Sequence, residues 1–557
     1  MRLTPNEALE HIKESSVQYL ETAYKIAHPD VFAERGQMLR QRGTVAQDPF
    51  IESTPAFPTS QKLIDLEHAN PQIIPEGLSE LVKHGVPLDR FRLYTHQEEA
   101  LLKAFSDHPS LLVATGTGSG KTEAFLLPIL ADLLREAVKW PAAKQNAERG
   151  KYDTANDVWL HSRRHEIRPA ALRAIILYPM NALVNDQLSR LRRILARGTS
   201  PDWQCQNLKN NVIHFGMYTS LTEPTGSWTE KARRERFKES MKGIEEDWEK
   251  LPQELRDTGF WPRPDSPEML CRWDMQMAPP DILVTNYSML EYMLVRQIEA
   301  SMFENTREWL ESTPDARLTL VLDEAHTYTG ARGTEVAHLV RRLKERLGID
   351  SGSIHFRAIA TSASIPTGAD KQIREFVSDL FGEPIDRFSL IRLSAMSKEM
   401  IQRHPTENAL HAFSRFYDKF DLQDPLPAIE QLAKDMNLGR VDSTVEAQIA
   451  LYSLLEKNEE VIWVRERTAR NATLLSQLAE ECWDHMGTIT EKERATAGIL
   501  AAGSYARPSE LQDTPPLLSM RVHAFFRGIP GIWACMNPLC PEVEPEFRKA
   551  KTPRPLA

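Results

Sequence analysis

Two short segments of this chain combine small, hydroxyl-bearing and charged residues in patterns typical of binding sites. The first is 115–122, in which three alternating glycines precede Lys121-Thr122. Glycines at this spacing let the backbone curl so that its N–H groups point into one concavity, which can hold phosphate. Lys121 can reach the β- and γ-phosphates as a catalytic contact, and the Thr122 hydroxyl can ligate Mg²⁺. The predicted nucleotide-binding residues of this segment are Thr117, Gly118, Ser119, Gly120, Lys121 and Thr122.

The second segment is Asp323-Glu324-Ala325-His326, which follows an apolar run and places two carboxylates side by side. Adjacent carboxylates at a buried strand end are costly unless a cation neutralises them, and nucleotide-bound Mg²⁺ does so. We predict that Asp323 holds the metal together with Thr122. Glu324 is predicted to orient and deprotonate the attacking water. His326 is expected between the γ-phosphate and the neighbouring strand ends, as a further catalytic residue.

Other polar side chains flank these two segments. Gln97 precedes the loop, and its amide offers donors and acceptors to the adenine edge of a nucleotide; a solvent-facing helical glutamine is the alternative. Thr361, Ser362 and Ser364 follow a later apolar run, and their hydroxyls can hydrogen-bond the carboxylates or His326. Such bonds would couple the nucleotide state to the substrate state, although Ser/Thr-rich turns are common without any such role.

Apolar runs alternating with helical patterns must position these residues. We predict strands at 111–114, 174–179, 281–286, 318–322 and 356–361, and a helix that opens at Lys121. Near-continuous apolar strands separated by helices indicate a parallel sheet covered on both faces. Sites in such sheets lie at the carboxyl ends of the strands, where the polar groups of both segments occur.

The composition is ordinary for a globular protein, with 41% hydrophobic and 26% charged residues. At the usual domain size, 557 residues make about two to four domains. Five scattered cysteines give no disulfide framework and favour a reducing compartment. The first residues lack the apolar core of a signal peptide, and no run of roughly 18 apolar residues could span a membrane. We therefore expect a cytoplasmic protein with no membrane partner.

The net charge is −10, so nucleic-acid binding would need local basic surface. Arginine- and lysine-rich segments at 190–197, 231–238 and 341–346 are candidates, with a solvated helix face as the alternative for each. In the first of these segments we expect phosphate contacts from Arg190, Arg192 and Arg193.

The order and context of 115–122, 323–326 and 362–364 resemble motifs I, II and III of superfamily 2 helicases of the DEAD/DEAH-box class. Thr115 stands at the first glycine position of the strict phosphate-loop pattern, and the helicase form with three alternating glycines fits better. Gln97 matches the glutamine of the family's Q motif. The phrases at 279–290 and 326–333 resemble the large bacterial helicases related to Lhr and YprA. Within that group they are most similar to the long helicases of phage-defence islands of the DISARM and Druantia kind.

This resemblance implies a RecA-like P-loop NTPase lobe that uses ATP and Mg²⁺. It also implies contacts with a nucleic-acid backbone, DNA rather than RNA, at the segments that match motifs Ia and Ib. The residues implied there are Pro179, Asn181, Gln187, Thr285 and Asn286.

The chain also departs from the family pattern. Lys121 and Asp323 are about 200 residues apart, farther than in a minimal helicase lobe, so we predict insertions near 139–168 and 220–278, the first as an irregular surface loop. No Gln-x-x-Gly-Arg-x-Gly-Arg-type segment follows Ser364. We therefore expect the second RecA-like lobe, with the arginines that complete the ATP site, to be absent.

The end of the chain carries Cys535 and Cys540 in a proline-containing turn, similar to half of a zinc ribbon. Four ligands are needed, and only His523 is a nearby third candidate; two unconnected cysteines are the alternative. Zn²⁺ is therefore expected only if a missing C-terminal part is supplied.

Together these features predict an α/β fold: a parallel sheet covered by helices on both faces, with a helical leader and a mainly helical C-terminal extension. The predicted parts are a leader (1–60), the ATP-binding lobe (61–385), a helical accessory region (386–515) and a truncated cysteine-containing segment (516–557).

The predicted function is a nucleic-acid-dependent ATPase lobe of a helicase or translocase, acting on DNA in phage defence or repair. Unwinding would require a second-lobe polypeptide, which with other defence-system subunits is the expected protein partner. The alternative is an ATP-gated nucleic-acid-binding regulatory module, or a split-gene subunit, with little intrinsic hydrolysis.

Overall fold

The computed structural model describes residues 5–41, 43–54, 57–83, 85, 92–116, 119–145, 150–153, 158–224, 226, 229–256, 258–362, 369–392, 405–442, 444–508 and 516–525. The chain divides into two compact units. We call Phe57–Ala395 the sheet unit, and Met1–Ala56 with Met396–Ala557 the helical unit.

The strands within these residues are β1 (Phe50–Ser53), β2 (Ser110–Ala114), β3 (Lys151–Asp153), β4 (Val158–Leu160), β5 (Ala174–Tyr178), β6 (Phe215–Tyr218), β7 (Glu268–Met269), β8 (Ile282–Asn286), β9 (Leu318–Leu322), β10 (Phe356–Ser362), β11 (Phe388–Arg392), β12 (Thr473–Leu474) and β13 (Met520–His523).

The α-helices are α1 (Pro5–Ala23), α2 (Pro29–Arg40), α3 (Leu63–Ala69), α4 (Leu78–Val82), α5 (Thr95–Lys103), α6 (Lys121–Ala137), α7 (Asn181–Leu195), α8 (Ser200–Asn207), α9 (Lys231–Lys250), α10 (Gln253–Arg256), α11 (Arg272–Met277), α12 (Tyr287–Val295), α13 (Ala300–Ser312), α14 (Gly330–Leu347), α15 (Asp370–Phe381), α16 (Glu407–Lys419), α17 (Leu426–Asp435), α18 (Ala447–Leu455), α19 (Glu459–Arg470), α20 (Leu475–Cys482) and α21 (Ile489–Tyr505). Short 3₁₀ turns occur at Gln297–Glu299, Ala325–Thr327 and Ile385–Arg387.

The sheet unit is built on one parallel sheet with the strand order β11-β2-β10-β9-β5-β8-β6-β7. The five strands predicted from the sequence are β2, β10, β9, β5 and β8, and they are consecutive in the sheet. The predicted α/β class with a large parallel sheet is thus confirmed. Sequence patterns missed β6, β7 and β11, because β7 has two residues, β6 contains Gly216, and β11 is a partly exposed edge strand.

Both faces of this sheet are covered, as the apolar runs predict. Leu111 and Val113 of β2 belong to a core shared with α5, α6 and α7. Leu112, which points to the opposite face, belongs to a core shared with α12, α13, α14 and α15. Side chains alternate between the faces of a strand, so a five-residue apolar strand contributes to both cores. This burial holds the carboxyl ends of the strands in place.

Residues 158–168 are not the surface loop that their polarity predicts. Arg168 is buried, donates to both oxygens of buried Asp281 at 2.8 Å, and lies 3.7 Å above the Trp140 ring. Arg163 and Arg173 also pair with Asp281, at 3.3 and 3.0 Å. Charged residues can be buried when each has a partner of opposite charge, and composition alone does not reveal such pairing. The expectation of an exposed loop is therefore wrong for this segment.

The two predicted insertions pack against each other. Trp159 of β4 and Trp273 of α11 both meet Phe237 of α9 edge to face, with ring centroids 5.1 and 5.3 Å apart. Buried Cys271 completes this small core. The described parts of the segments near 139–168 and 220–278 thus share one small core within the sheet unit.

The helical unit has a core of α16, α17, α18, α19, α20 and α21 and a three-stranded antiparallel sheet in the order β12-β1-β13. Its described residues contain no parallel sheet. His523 Nε2 lies 2.6 Å from Glu52 Oε2, so this candidate zinc ligand is engaged by a carboxylate. Cys535 and Cys540 lie outside the described residues. The domain limits and the absent second lobe remain proposals, and the sheet itself extends to Arg392.

Across the described ranges, no cluster of three or more histidine, cysteine or acidic side chains is arranged to hold a metal ion. None of the helices in these ranges is both long and apolar enough to cross a membrane.

Candidate nucleotide and nucleic-acid site

The two chemistry-bearing segments meet because their strands lie two places apart in the sheet. β10 pairs with β2 on one side and with β9 on the other. In register, Ala114 lies opposite Ser362, and Leu322 lies opposite Ala360. The loop after β2 and the carboxylates after β9 therefore reach the same edge of the sheet, where parallel sheets place their ligands.

Glycine is required at Gly120, the residue that precedes α6. Its φ is +77°, in the left-handed region, and a Cβ there would collide with the Gln97 side-chain amide. Ser119 Oγ donates to Gly116 O at 2.8 Å and lies 2.7 Å from Thr115 Oγ1, which closes the loop on itself. A Cβ at Gly116 would meet no atom of the described residues within 4 Å. Thr117 and Gly118 lie outside the described residues.

Gln97 supports this loop through both ends of its amide. Its Nε2 donates to Gly120 O at 3.1 Å, and its Oε1 accepts from Tyr94 N at 2.9 Å. The side chain is buried, so it is not the solvent-facing glutamine of the alternative interpretation. An amide can make four hydrogen bonds, and a contact with adenine remains a prediction.

Lys121 and Glu324 form an ion pair in the site. Lys121 Nζ lies 3.0 Å from Glu324 Oε1, and both side chains are mostly buried. Glu324 has a φ of +49°, a left-handed conformation that is strained for a residue with a side chain. Backbone strain of this kind is concentrated at functional sites, and it cannot be predicted from a sequence pattern.

Thr361 holds the acidic pair in place. Its hydroxyl donates to Asp323 Oδ1 and accepts from Glu324 N at 3.2 Å. Burial raises the pKa of Asp323, the bond from Thr361 partly offsets that, and the negative charge of Glu324 adds to the increase. Ser362 Oγ lies 3.3 Å from His326 Nδ1. These contacts link the end of β10 to the segment 323–326. Ser364 lies outside the described residues, and the coupling role remains a prediction.

Side chains of α7 contact the first turn of α6. Gln187 Nε2 donates to Thr122 Oγ1 at 3.1 Å, and Arg190 Nη1 donates to Glu123 Oε1 at 2.7 Å. Glu123 was not among the site residues predicted from the sequence. Its position directly after Lys121-Thr122 could have indicated that it belongs to the site. Gln187 was predicted to contact nucleic acid. In the structure its side chain contacts Thr122, the predicted metal ligand.

The other predicted nucleic-acid residues follow β5 and β8, which are neighbours in the sheet. Pro179 is half-buried, and Asn181 begins α7. Thr285 is fully buried, with its hydroxyl donating to Tyr218 O at 2.5 Å. Asn286 caps α12 by accepting from Met289 N at 2.8 Å. Nucleic-acid contact by these residues stays a prediction.

The expectation that Arg192 grips phosphates is wrong. Its guanidinium is buried and donates to both oxygens of Glu268 at 2.7 Å, and to Phe260 O at 2.7 Å. Bidentate pairing of this kind satisfies the arginine inside the fold. The Arg-rich stretch of α7 is thus partly structural, because this face of the helix packs on the second predicted insertion.

Comparison with known proteins shows what this chain is similar to. Residues 94–220 match the DEAD/DEAH box helicase family. Over 598 aligned residues the chain is 33% identical to Druantia protein DruE of Escherichia coli (strain UMEA 4076-1), covering 96% of this chain and 30% of that protein. Over 325 residues it is 22% identical to the uncharacterized ATP-dependent helicase YprA of Bacillus subtilis (strain 168), covering 58% of this chain and 29% of that protein.

The crystal structure of the DUF1998 helicase MrfA bound to DNA and AMPPNP aligns with a TM-score of 0.34 and 17% identity, covering 80% of this chain and 44% of that one. The chain spans about 30% of the length of the two curated relatives.

Proposed function

Because the chain carries a DEAD/DEAH box helicase domain, we propose that its sheet unit binds Mg·ATP and hydrolyses it in response to nucleic acid. One observation carries this proposal: Lys121-Thr122 and Asp323-Glu324 come together at one sheet edge, although about 200 residues separate them.

The residues at this edge fit a magnesium nucleotide. The Thr122 hydroxyl and the Asp323 carboxylate are oxygen ligands of the kind that Mg²⁺ prefers. Burial raises the pKa of Asp323 and the charge of Lys121 opposes that increase, so a bound cation would further stabilise the charged carboxylate. Among the described residues no side chain caps the N-terminus of α6, so its first N–H groups and its dipole favour a phosphate.

The roles of the side chains follow from their positions. Lys121 would hold the β- and γ-phosphates, and Thr122 with Asp323 would hold the metal, which when bound neutralises phosphate charge. Glu324 would orient the attacking water and accept its proton. Thr361 keeps both acidic residues in place through its bonds to the Asp323 carboxylate and the Glu324 amide.

We place nucleic acid across the carboxyl ends of β5 and β8. The sheet register sets Tyr178 opposite Asn286, which brings the segments that follow these strands side by side. Pro179, Asn181 and Asn286 would contact the sugar-phosphate backbone, which makes binding largely independent of sequence. DNA is the proposed substrate, in phage defence or repair; the identity with Druantia protein DruE supports the defence role.

Movement along nucleic acid requires two lobes that close on ATP and reopen. The described residues of the helical unit have an antiparallel sheet and helices instead of a second parallel sheet. We therefore propose slow hydrolysis and no unwinding by these 557 residues alone. If hydrolysis is undetectable with every nucleic acid, the ATP-gated binding module is the better description.

The test is calorimetry of Mg·ATP binding to the wild type and to Lys121→Ala. Losing one charge-assisted phosphate contact, worth about 1.5–3 kcal/mol, should weaken binding about tenfold or more. Lys103→Ala, which removes an exposed lysine paired with Glu99, is the matched control and should bind like the wild type. Equal affinities for wild type and Lys121→Ala would reject the site.

A further inference from the structure

We infer that Gln187 is a positioning residue for the metal ligand Thr122, and not a nucleic-acid contact. This inference rests on the proposed function, because it assigns a role around the proposed Mg²⁺ site. It begins from one contact, in which Gln187 Nε2 donates to Thr122 Oγ1 at 3.1 Å.

The nitrogen of the Gln187 amide makes this contact, and the oxygen beside it is shielded from solvent. This oxygen, Oε1, has no hydrogen-bond partner among the residues that the structure describes. Thr122 is also buried. A nucleic-acid contact by Gln187 would therefore require the amide to leave a buried hydroxyl, which would lose its partner.

This contact fixes the orientation of the Thr122 hydroxyl. A threonine hydroxyl has one proton and two lone pairs, and in a helix its χ1 divides between two rotamers. The N–H of Gln187 occupies one lone pair and so favours one rotamer. The second lone pair is left for a metal. Partners that orient a metal ligand in this way typically contribute about 10–100-fold to metal affinity.

A second contact on the same helix provides a control. Arg190 lies one turn after Gln187 and donates to Glu123 Oε1 at 2.7 Å. Both contacts hold α7 against the first turn of α6, but only Gln187 reaches the metal ligand. A general loosening of α7 would therefore affect both variants, while loss of ligand positioning would affect only one.

The experiment measures binding of a fluorescent ATP analogue while Mg²⁺ is titrated, in wild type, Gln187→Met and Arg190→Met. Methionine keeps the length of the side chain and removes the hydrogen bond. Gln187→Met should raise the Mg²⁺ concentration for half-maximal binding about tenfold. It should leave nucleotide binding in EDTA and DNA binding without nucleotide unchanged. Arg190→Met, measured without nucleic acid, should follow the wild-type Mg²⁺ curve, because its contact is with Glu123 and not with the metal ligand.

A double-mutant cycle separates positioning from a structural role. In a Thr122→Val background the hydroxyl is gone, so adding Gln187→Met should have no further effect on the Mg²⁺ curve. If Gln187→Met does not fold, Gln187→Ala is measured in the same cycle. A wild-type Mg²⁺ curve together with weaker DNA binding would overturn the inference and return Gln187 to the nucleic-acid surface. That failure differs from failure of the ATP site, in which Lys121→Ala also binds nucleotide normally.

Discussion

Lys121 Nζ and Glu324 Oε1 lie 3.0 Å apart and form an ion pair. Lys121 is proposed to hold phosphate, and Glu324 is proposed to activate water, so the two site residues engage each other when no nucleotide is bound. The other carboxylate oxygen of Glu324 lies 3.4 Å from His326 Nδ1. A phosphate competes with the carboxylate for the ammonium of Lys121. Binding of the triphosphate would therefore release Glu324 toward the water, which ties activation of the base to arrival of the substrate.

Glu324→Gln should spare nucleotide binding and remove hydrolysis. The amide keeps the shape of the side chain but cannot accept the proton, so turnover should fall about 10²-fold or more. Because the Lys121 ammonium loses its anionic partner, the affinity for Mg·ATP should be equal to or higher than that of the wild type. Phosphate-release kinetics and calorimetry measure the two effects. Unchanged turnover would remove Glu324 from the catalytic role.

Asp323→Asn should stabilise the nucleotide-free protein while abolishing Mg²⁺-dependent binding. The pKa of Asp323 is raised above its ordinary value of 3.8, mainly by burial. Between that value and the folded-state pKa, the folded protein binds more protons than the unfolded chain. Its stability therefore falls as the pH rises through this window, and at neutral pH the charged carboxylate is unfavourable. Asparagine removes the charge and can still accept the bond from Thr361.

Thermal unfolding of the wild type and Asp323→Asn from pH 4 to 7 tests this. The variant should have the higher Tm at pH 7, and the difference should shrink toward pH 4 as the wild-type carboxyl becomes protonated. Asp315→Asn, which alters an exposed carboxylate paired with Lys139, is the control. A lower Tm for Asp323→Asn at pH 7 would contradict the prediction.

Asp281→Asn should destabilise the sheet unit by about 3–5 kcal/mol. The substitution removes the carboxylate charge that three arginines share, so their positive charges are no longer balanced. Burial by itself raises the pKa of Asp281, but Arg163, Arg168 and Arg173 outweigh that effect, and the pKa lies below its ordinary value of 3.8. This carboxylate therefore contributes its full stability above pH 3.8 and loses it as the pH falls through the folded-state pKa.

Urea unfolding at pH 7 measures the effect of Asp281→Asn, and Asp315→Asn should change little in the same experiment. If the two variants unfold alike, residues 158–168 are not held by this charge cluster.

Nucleic-acid affinity should depend on salt and only weakly on sequence, because the proposed contacts are with the backbone. Fluorescence anisotropy with single-stranded DNA and RNA of mixed sequence, at roughly 50 to 200 mM salt, measures how the binding affinity changes with salt concentration. Affinity that does not respond to salt over this range would exclude a phosphate-gripping surface. The same panel compares DNA with RNA.

The purified chain should hydrolyse ATP slowly and leave duplexes intact. Arginines from an opposing lobe are worth about 10³–10⁵ in turnover at comparable sites. Adding a polypeptide that carries such a lobe should raise turnover by orders of magnitude. A duplex-unwinding assay tests this prediction, and mass spectrometry of the sample excludes contaminating helicases. Robust ATP-dependent unwinding by the chain alone would show that residues 370–557 contain a second motor lobe.

The amino-acid sequence alone was enough to predict the parallel sheet and the family resemblance. Five apolar runs became five consecutive strands, because a strand buried on both faces must be apolar throughout. The loop at 115–122 and the segment 323–326 were identifiable from local spacing alone. The predicted resemblance to DEAD/DEAH-box helicases of the Druantia and YprA-related kind is confirmed.

Which polar side chains face each other depends on the order of the strands in the sheet. Lys121 meets Glu324, and Gln187 meets Thr122, only because the sheet order places the ends of β2, β9 and β5 near one another. Arg192 and Arg168 are buried, although their polarity favours exposure, because carboxylates distant in sequence pair with them. Hydrophobic periodicity is a local property of the chain, whereas charge pairing depends on long-range neighbours, which only the folded arrangement of strands provides.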